Sequence, residues 1–199
     1  MSNPRNIFAK ISAAVVIVLA IGTAAVAKRH SDPAFSNIHI RNFGKMDDRF
    51  YRGAQPDESD YKDLKALGVK TVIDLQDHPS GYEKRDVEAL GMRYVNLPMS
   101  DSSYPKQESV DAFLKLVNDP STGVMFVHCA GGRHRTGVMG AVYRFNVNHW
   151  NLDQAYTEMK DYDFYTRFGH GDLKTFVEDY SQKMPKVSAT AVNSASQKN

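Results

Sequence analysis

Two periods of apolar and polar positions alternate along the middle of the chain. Residues 69–75 (VKTVIDL), 93–99 (RYVNLPM) and 124–128 (VMFVH) are short runs rich in β-branched and aromatic side chains, the pattern of strands. Between them, residues 57–67, 83–90 and 107–117 repeat apolar side chains every three or four positions, the period of a helix. Gly68 and Gly91 follow the first two, where glycine ends a helix at little conformational cost, and Pro105 precedes the third. Residues 38–43 and 50–52 predict a hairpin at a sheet edge. Beyond the last strand, residues 136–147, 152–161 and 172–182 read as helices, the first of them amphipathic. Strands alternating with helices imply an α/β fold: a central, mainly parallel sheet flanked by helices, with a C-terminal helical cluster.

The two ends depart from this pattern. Arg5 and Lys10 precede the uninterrupted small and apolar run 11–27, which closes on Ala25-Val26-Ala27. A basic segment, an apolar segment and an A-x-A site form an export signal, and the run falls short of the roughly 20 apolar residues that span a bilayer. The expectation for residues 1–27 is a cleaved signal. A retained membrane anchor is the alternative, which Lys28, Arg29 and His30 keep open. Either way the folded part is expected outside the cytoplasm, periplasmic or extracellular, with a membrane as partner only if the segment stays. Residues 28–37 read as a linker, residues 38–184 as one catalytic domain, and residues 185–199 (PKVSATAVNSASQKN) as a disordered tail.

Charge and cysteine usage narrow the classes of function. The 199 residues carry 25 Lys and Arg against 23 Asp and Glu, and residues 1–27 hold two of those cations and no acid. A chain so balanced has no bulk field to attract nucleic acid, so any preference for anions must be local. The seven histidines are scattered without metal-site spacing, and neither a metal nor an organic cofactor is called for. Cys129 is the only cysteine, which excludes an internal disulfide.

The surroundings of Cys129 give it a purpose. The strand VMFVH runs into HCAGGRHRTG, residues 128–137, and then into a helix. A strand, a glycine-containing loop and a helix form a phosphate cradle, in which the N–H groups of Ala130, Gly131, Gly132, Arg133, His134 and Arg135 turn toward one anion at the positive end of the helix dipole. Gly131 and Gly132 supply backbone freedom and space for the phosphate. The same field lowers the pKa of a thiol at the start of the loop and makes Cys129 a nucleophile. The planar fork of Arg135 suits two phosphoryl oxygens and the transition-state charge. The Thr136 hydroxyl is placed to help the thiolate leave, and His128, counted with the phosphate-binding residues, to orient the loop through hydrogen bonds.

These residues resemble the protein tyrosine phosphatase superfamily, whose signature H-C-x5-R-[ST] is matched at His128, Cys129, Arg135 and Thr136, with Gly132 at the glycine of the tighter form H-C-x-x-G-x-x-R. The segment FYRGAQPDESDYKDLKALGVKTVIDLQ, residues 50–76, is similar to the opening of bacterial dual-specificity-like phosphatases and of atypical plant and fungal enzymes acting on inositol pyrophosphates. The resemblance covers most of residues 50–180. It implies a phosphocysteine intermediate and an aspartate, on a mobile loop upstream of the cysteine, that protonates the leaving group and then activates water. Asp101, in LPMSDSSYP directly after a strand, fits that place. Asp111 and Asp119 are rivals, the first in a helix and the second in an Asn-Asp-Pro turn.

Arg133 and His134 give the loop an Arg-His-Arg triplet. The resemblance implies a role, because the inositol pyrophosphate enzymes carry a similar triplet and phosphatase-like phytases share the H-C-x-x-G-x-x-R-[ST] frame. An inositol polyphosphate is the expected substrate, with a phosphoprotein and dual specificity as the alternative. Lys84, Arg85, Arg167 and His170 are candidates to extend the basic rim. A phosphate-binding module without activity would be expected to lack the nucleophile, the arginine or the acid, all present here. A thiol-dependent arsenate reductase needs further cysteines.

Overall fold

The computed structural model describes residues 35–185. Residues 1–27, expected to be an export signal or anchor, most of the expected linker and nearly all of the expected tail lie outside the described residues. Among the described residues no helix is long and apolar enough to cross a membrane.

Strand β1 (Gly44–Lys45) and β2 (Phe50–Ala54) are followed by α1 (Asp60–Ala66), β3 (Thr71–Gln76), α2 (Glu83–Ala89), β4 (Arg93–Met99) and α3 (Gln107–Asn118). A short 3-10 turn (Pro120–Thr122) then leads to β5 (Met125–Cys129), and α4 (His134–Val147), α5 (Leu152–Asp161) and α6 (Gly171–Lys183) complete the order. The sheet order is β1-β2-β5-β3-β4, antiparallel only between β1 and β2. Gly68 and Gly91 both adopt positive φ, at 86° and 70°, so α1 and α2 stop where glycine permits.

The edge hairpin predicted for residues 38–43 and 50–52 forms with its first arm displaced: Gly44–Lys45 pairs antiparallel with β2, through Gly44–Arg52 and Lys45–Tyr51. Residues 38–43 are not a strand, and β2 is an interior strand pairing in parallel with β5 from Phe50–Met125 to Ala54–Cys129. The sequence FYRGA hid this, because Arg52 and Gly53 interrupt the apolar run that a buried strand normally shows. Helix α4 also differs from the amphipathic expectation: every residue from His134 to Phe145 is buried. It lies under the sheet with α3, α5 and α6 packed around it, so no face is left for water.

The period of two along each strand divides the core. Met125, Val127 and Cys129 of β5 join Ile73 and Leu75 of β3 on the face covered by α3 to α6. Phe126 joins Val72 and Tyr51 on the opposite face, with residues of α1 and α2. Cys129 and His128 therefore emerge on opposite sides of the sheet.

Candidate active site

β5 delivers Cys129 at the C-terminal edge of a parallel sheet, where strand ends leave a crevice for ligands. The loop turns on Gly132, whose φ is 65°. A Cβ on Gly132 would lie 2.5 Å from the carbonyl carbon of Gly53 and 2.6 Å from the nitrogen of Ala54. Contrary to the expectation, this glycine makes room for strand β2 rather than for phosphate.

The loop carbonyls are drawn toward that scaffold. Asn42 Nδ2 donates to Gly131 O at 2.9 Å, the buried Arg52 Nη2 to Gly132 O at 3.0 Å, and Gln55 N to Ala130 O at 3.4 Å. With its carbonyls occupied, the loop offers amides to the other side, and the N–H groups of Gly131 and Thr136 point to the sulfur. Asn42, Arg52 and Gln55 were not singled out in the sequence. A charged residue inside FYRGA was the available signal for Arg52.

Cys129 is 3% exposed. Burial by itself would push its thiol up. The Thr136 hydroxyl, the Arg135 charge and the two amides outweigh burial and hold the thiol below its ordinary range. Arg135 is fixed by donating from Nη1 to Asp77 Oδ1 at 3.1 Å and to Met99 O at 3.3 Å. Its buried Nε has no partner among the described residues, which leaves that part of the fork for an anion.

His128 and His134 do not take the places expected of them as phosphate-binding residues. His128, fully buried across the sheet, has Nε2 2.8 Å from Glu83 Oε1 and 4.0 Å from Asp74 Oδ1. Burial there favours the neutral imidazole, but the two carboxylates prevail and raise its pKa. Asp74, Glu83 and His128 are also the one group among the described residues with the spacing to hold a metal ion, although their numbers in the sequence are far apart. The Glu83 contact is that of an ion pair, so the trio forms an ionic cluster beneath the cradle.

His134 is 8% exposed. Its ring stacks on His170 at 3.6 Å and meets Tyr165 and Phe164 edge-on at 4.4 and 5.3 Å. Burial, together with His170, pushes its pKa down to about 4. It is neutral at pH 7 and brings no charge to a polyphosphate. Arg133 remains half-buried at the rim, and Ala130 is exposed.

Asp101 lies on the exposed loop after β4, two residues beyond the carbonyl that anchors Arg135. Ser100 closes the turn by accepting from the N–H groups of Ser102 and Ser103. The Asp101 carboxylate has no hydrogen-bond partner among the described residues, and its charge is felt by His134 at the start of α4. Its rivals serve structure: Asp111 accepts from Gln107, and Asp119 caps the 3-10 turn through Ser121 N. Lys84 and Arg85 are exposed on α2, where Arg85 pairs with Asp86. Arg167 lies over the rings of Tyr165 and Phe168.

A mainly parallel sheet that presents a thiolate, an arginine fork and a ring of amides at the amino end of a helix defines a cysteine-based phosphatase of the dual-specificity type. Residues 33–177 match the family described as "DSP-PTPase phosphatase fused to NAD+ Kinase", and the chain belongs to that family. It is 31% identical over 144 residues to "Probable tyrosine-protein phosphatase DG1060" of Dictyostelium discoideum, an alignment covering 70% of this chain and 82% of that protein. The crystal structure of TpbA from P. aeruginosa is similar with a TM-score of 0.61 and 25% identity, covering 76% of this chain and 88% of TpbA. The core catalytic domain of the PP-IP phosphatase SIW14 from S. cerevisiae shares the fold, with a TM-score of 0.61 and 20% identity over 79% of this chain and 93% of that domain.

Proposed function

We propose that the enzyme releases phosphate from monoesters in two steps, with Cys129 as nucleophile and Asp101 as acid and then base, and that its substrates are inositol polyphosphates. The observation that carries the chemistry is the place of Cys129, buried where β5 ends and close to the amino end of α4, with the Thr136 hydroxyl, the Arg135 charge and two amides lowering its thiol pKa. In the first step the thiolate attacks phosphorus, a sulfur–phosphorus bond forms, and the ester bond breaks as Asp101 gives its proton to the departing oxygen. Arg135 and the loop amides meet the charge on the phosphoryl oxygens. In the second, Asp101 takes a proton from water, the water oxygen bonds to phosphorus, and the sulfur leaves as thiolate with the hydrogen bond from Thr136.

The polyphosphate reading rests on Arg133 at the rim, whose Nε has no partner among the described residues, and on the likeness to a PP-IP phosphatase. A second reading, a phosphoprotein phosphatase, is favoured by the withdrawal of His134 as a cation and by the relationship to proteins named tyrosine-protein and dual specificity protein phosphatases. Arg133→Ala separates them. A charge-assisted contact to a second phosphate contributes about 1.5–3 kcal/mol, so kcat/KM on inositol hexakisphosphate should fall roughly ten- to a hundredfold while para-nitrophenyl phosphate is spared. Equal losses on both, with faster turnover of a phosphotyrosine peptide by the native enzyme, would establish the second reading. Export of the enzyme is part of the proposal, supported by the basic, apolar and A-x-A segments of residues 1–27. Fractionation of cells expressing the full chain tests it.

A further inference from the structure

The segment between α5 and α6 packs against the first residue of α4 and the loop after β4, and the proposed chemistry gives it no task. Phe168 and Gly169 both adopt positive φ, at 59° and 88°. This turn carries His170 back toward the loop that holds Asp101. His170 Nδ1 lies 2.6 Å from the backbone oxygen of Asp101, which can only accept, so Nδ1 carries the proton. A Cβ built on Gly169 would be 3.8 Å from Ser102 Cβ, an ordinary contact that places the two segments side by side. The hydrogen bond uses the edge of the His170 ring, and a face of the same ring stacks on His134, the first residue of α4 and the neighbour of Arg135. Tyr165 meets both imidazoles edge-on, at 4.4 and 5.4 Å.

The loop is thus pinned at two ends by different means. At its far end Tyr104 donates to Asp179 at 3.0 Å and packs edge-on against Phe176, both on α6. At its near end His170 holds the peptide of Asp101 through the carbonyl and leaves the carboxylate unengaged. A link from α4 through His134 and His170 to Asp101 ties the acid to the helix that carries Arg135.

We infer that His170 is a positioning residue for the general acid: by donating to the Asp101 carbonyl while stacked on His134, it sets the acid loop over Cys129. The inference rests on Asp101 being the acid. Its signature is a loss in kcat/KM that depends on the leaving group, because kcat/KM reports the first step, where a misplaced acid matters only if the departing oxygen needs a proton, and excludes the hydrolysis in which Asp101 serves as base. A displacement of about 1 Å costs up to ~10²-fold. His170→Ala should therefore lower kcat/KM roughly ten- to a hundredfold on an alkyl phosphate and only a fewfold on an aryl phosphate with an acidic leaving group.

The experiment measures kcat/KM against leaving-group pKa for the native enzyme and for Asp101→Asn, His170→Ala, His170→Phe, His170→Asn and the double variant Asp101→Asn with His170→Ala, with thermal melts alongside. His170→Phe keeps a ring to stack and lacks the donor, so it should behave like His170→Ala. His170→Asn keeps a donor and should recover part of the loss. The double variant should be no worse than Asp101→Asn alone, since His170 acts only through the acid. If Asp101→Asn leaves the slope unchanged, the acid assignment fails, and the inference with it. If Asp101→Asn steepens the slope while His170→Ala and His170→Phe do not, or if the losses add in the double variant, the acid stands and His170 does not position it.

Discussion

All of β5 and the first twelve residues of α4 are buried, whereas every residue from Ser100 to Tyr104 is exposed. In the proposed reaction the two regions supply the two halves of the chemistry. The cradle must hold a thiolate against the cost of burying it, and it does so with fixed amides, a hydroxyl and a cation inside a packed core, where reorganisation is small and each dipole counts for more than in water. The loop proposed to carry the acid would have to admit a substrate and release a product, and it is tied down by a few side-chain contacts at its ends. One region is specified many times over and the other by His170, Tyr104 and Ser100. Damage to the first should abolish chemistry, and damage to the second should reshape it.

The largest expected effect lies in the cradle. Cys129→Ser should lower kcat by several orders of magnitude on every substrate while an inert phosphate analogue still binds, because the amides and Arg135 remain. Equilibrium binding and turnover measured on the same sample test this. As much as a tenth of the native rate would show that the sulfur is not the nucleophile and that the contrast between the regions is misdrawn.

Gly132→Ala comes next, and it probes how many times over the cradle is specified. The new Cβ would meet the backbone of Gly53 and Ala54 at 2.5–2.6 Å, at a φ of 65° that alanine rarely adopts. A destabilisation of about 3 kcal/mol is expected in denaturant melts, with anion binding weakened as well. The same substitution at the exposed Ser102, in the other region, should change stability by less than about 0.5 kcal/mol. Similar costs at the two sites would remove the distinction.

The smallest effect sharpens the boundary between the regions, where His134 meets His170. In the folded protein His134 stays neutral down to about pH 4. In the unfolded chain an imidazole takes up its proton near 6.5. Between these values the unfolded state binds more protons, so the contribution of His134 to stability is present above pH 6.5 and is lost as the pH falls toward 4. His128 has the opposite sign, since its raised pKa favours the folded state at low pH and that contribution is lost as the pH rises through it. His134→Gln removes the first and leaves the second. The fall in Tm between pH 7 and pH 5 should shrink in the variant by about 4 to 7 °C, the shift that roughly 2 kcal/mol produces in a domain of this size. An unchanged fall would mean that His134 is not held neutral by its stack.

The sequence by itself determined the elements of period two and 3.6, the order in which they alternate, and the run from His128 to Thr136 that makes a phosphate cradle. These are local: a strand, a glycine and a helix start are neighbours along the chain, and their chemistry is legible wherever they adjoin. Tertiary structure decided everything that depends on which side of a sheet or helix a residue meets its neighbour. The alternation along β5 set Cys129 and His128 on opposite faces, so His128 pairs with Glu83 from α2 instead of facing phosphate. Packing around α4 buried His134 and cancelled a charge that the Arg-His-Arg triplet spells out. Parallel pairing with β5 moved β2 to the interior and made Arg52 a support of the loop. The latch on Asp101 comes from His170, 69 residues away in the chain, and distance along a chain carries no sign of such a contact until the helices between have packed.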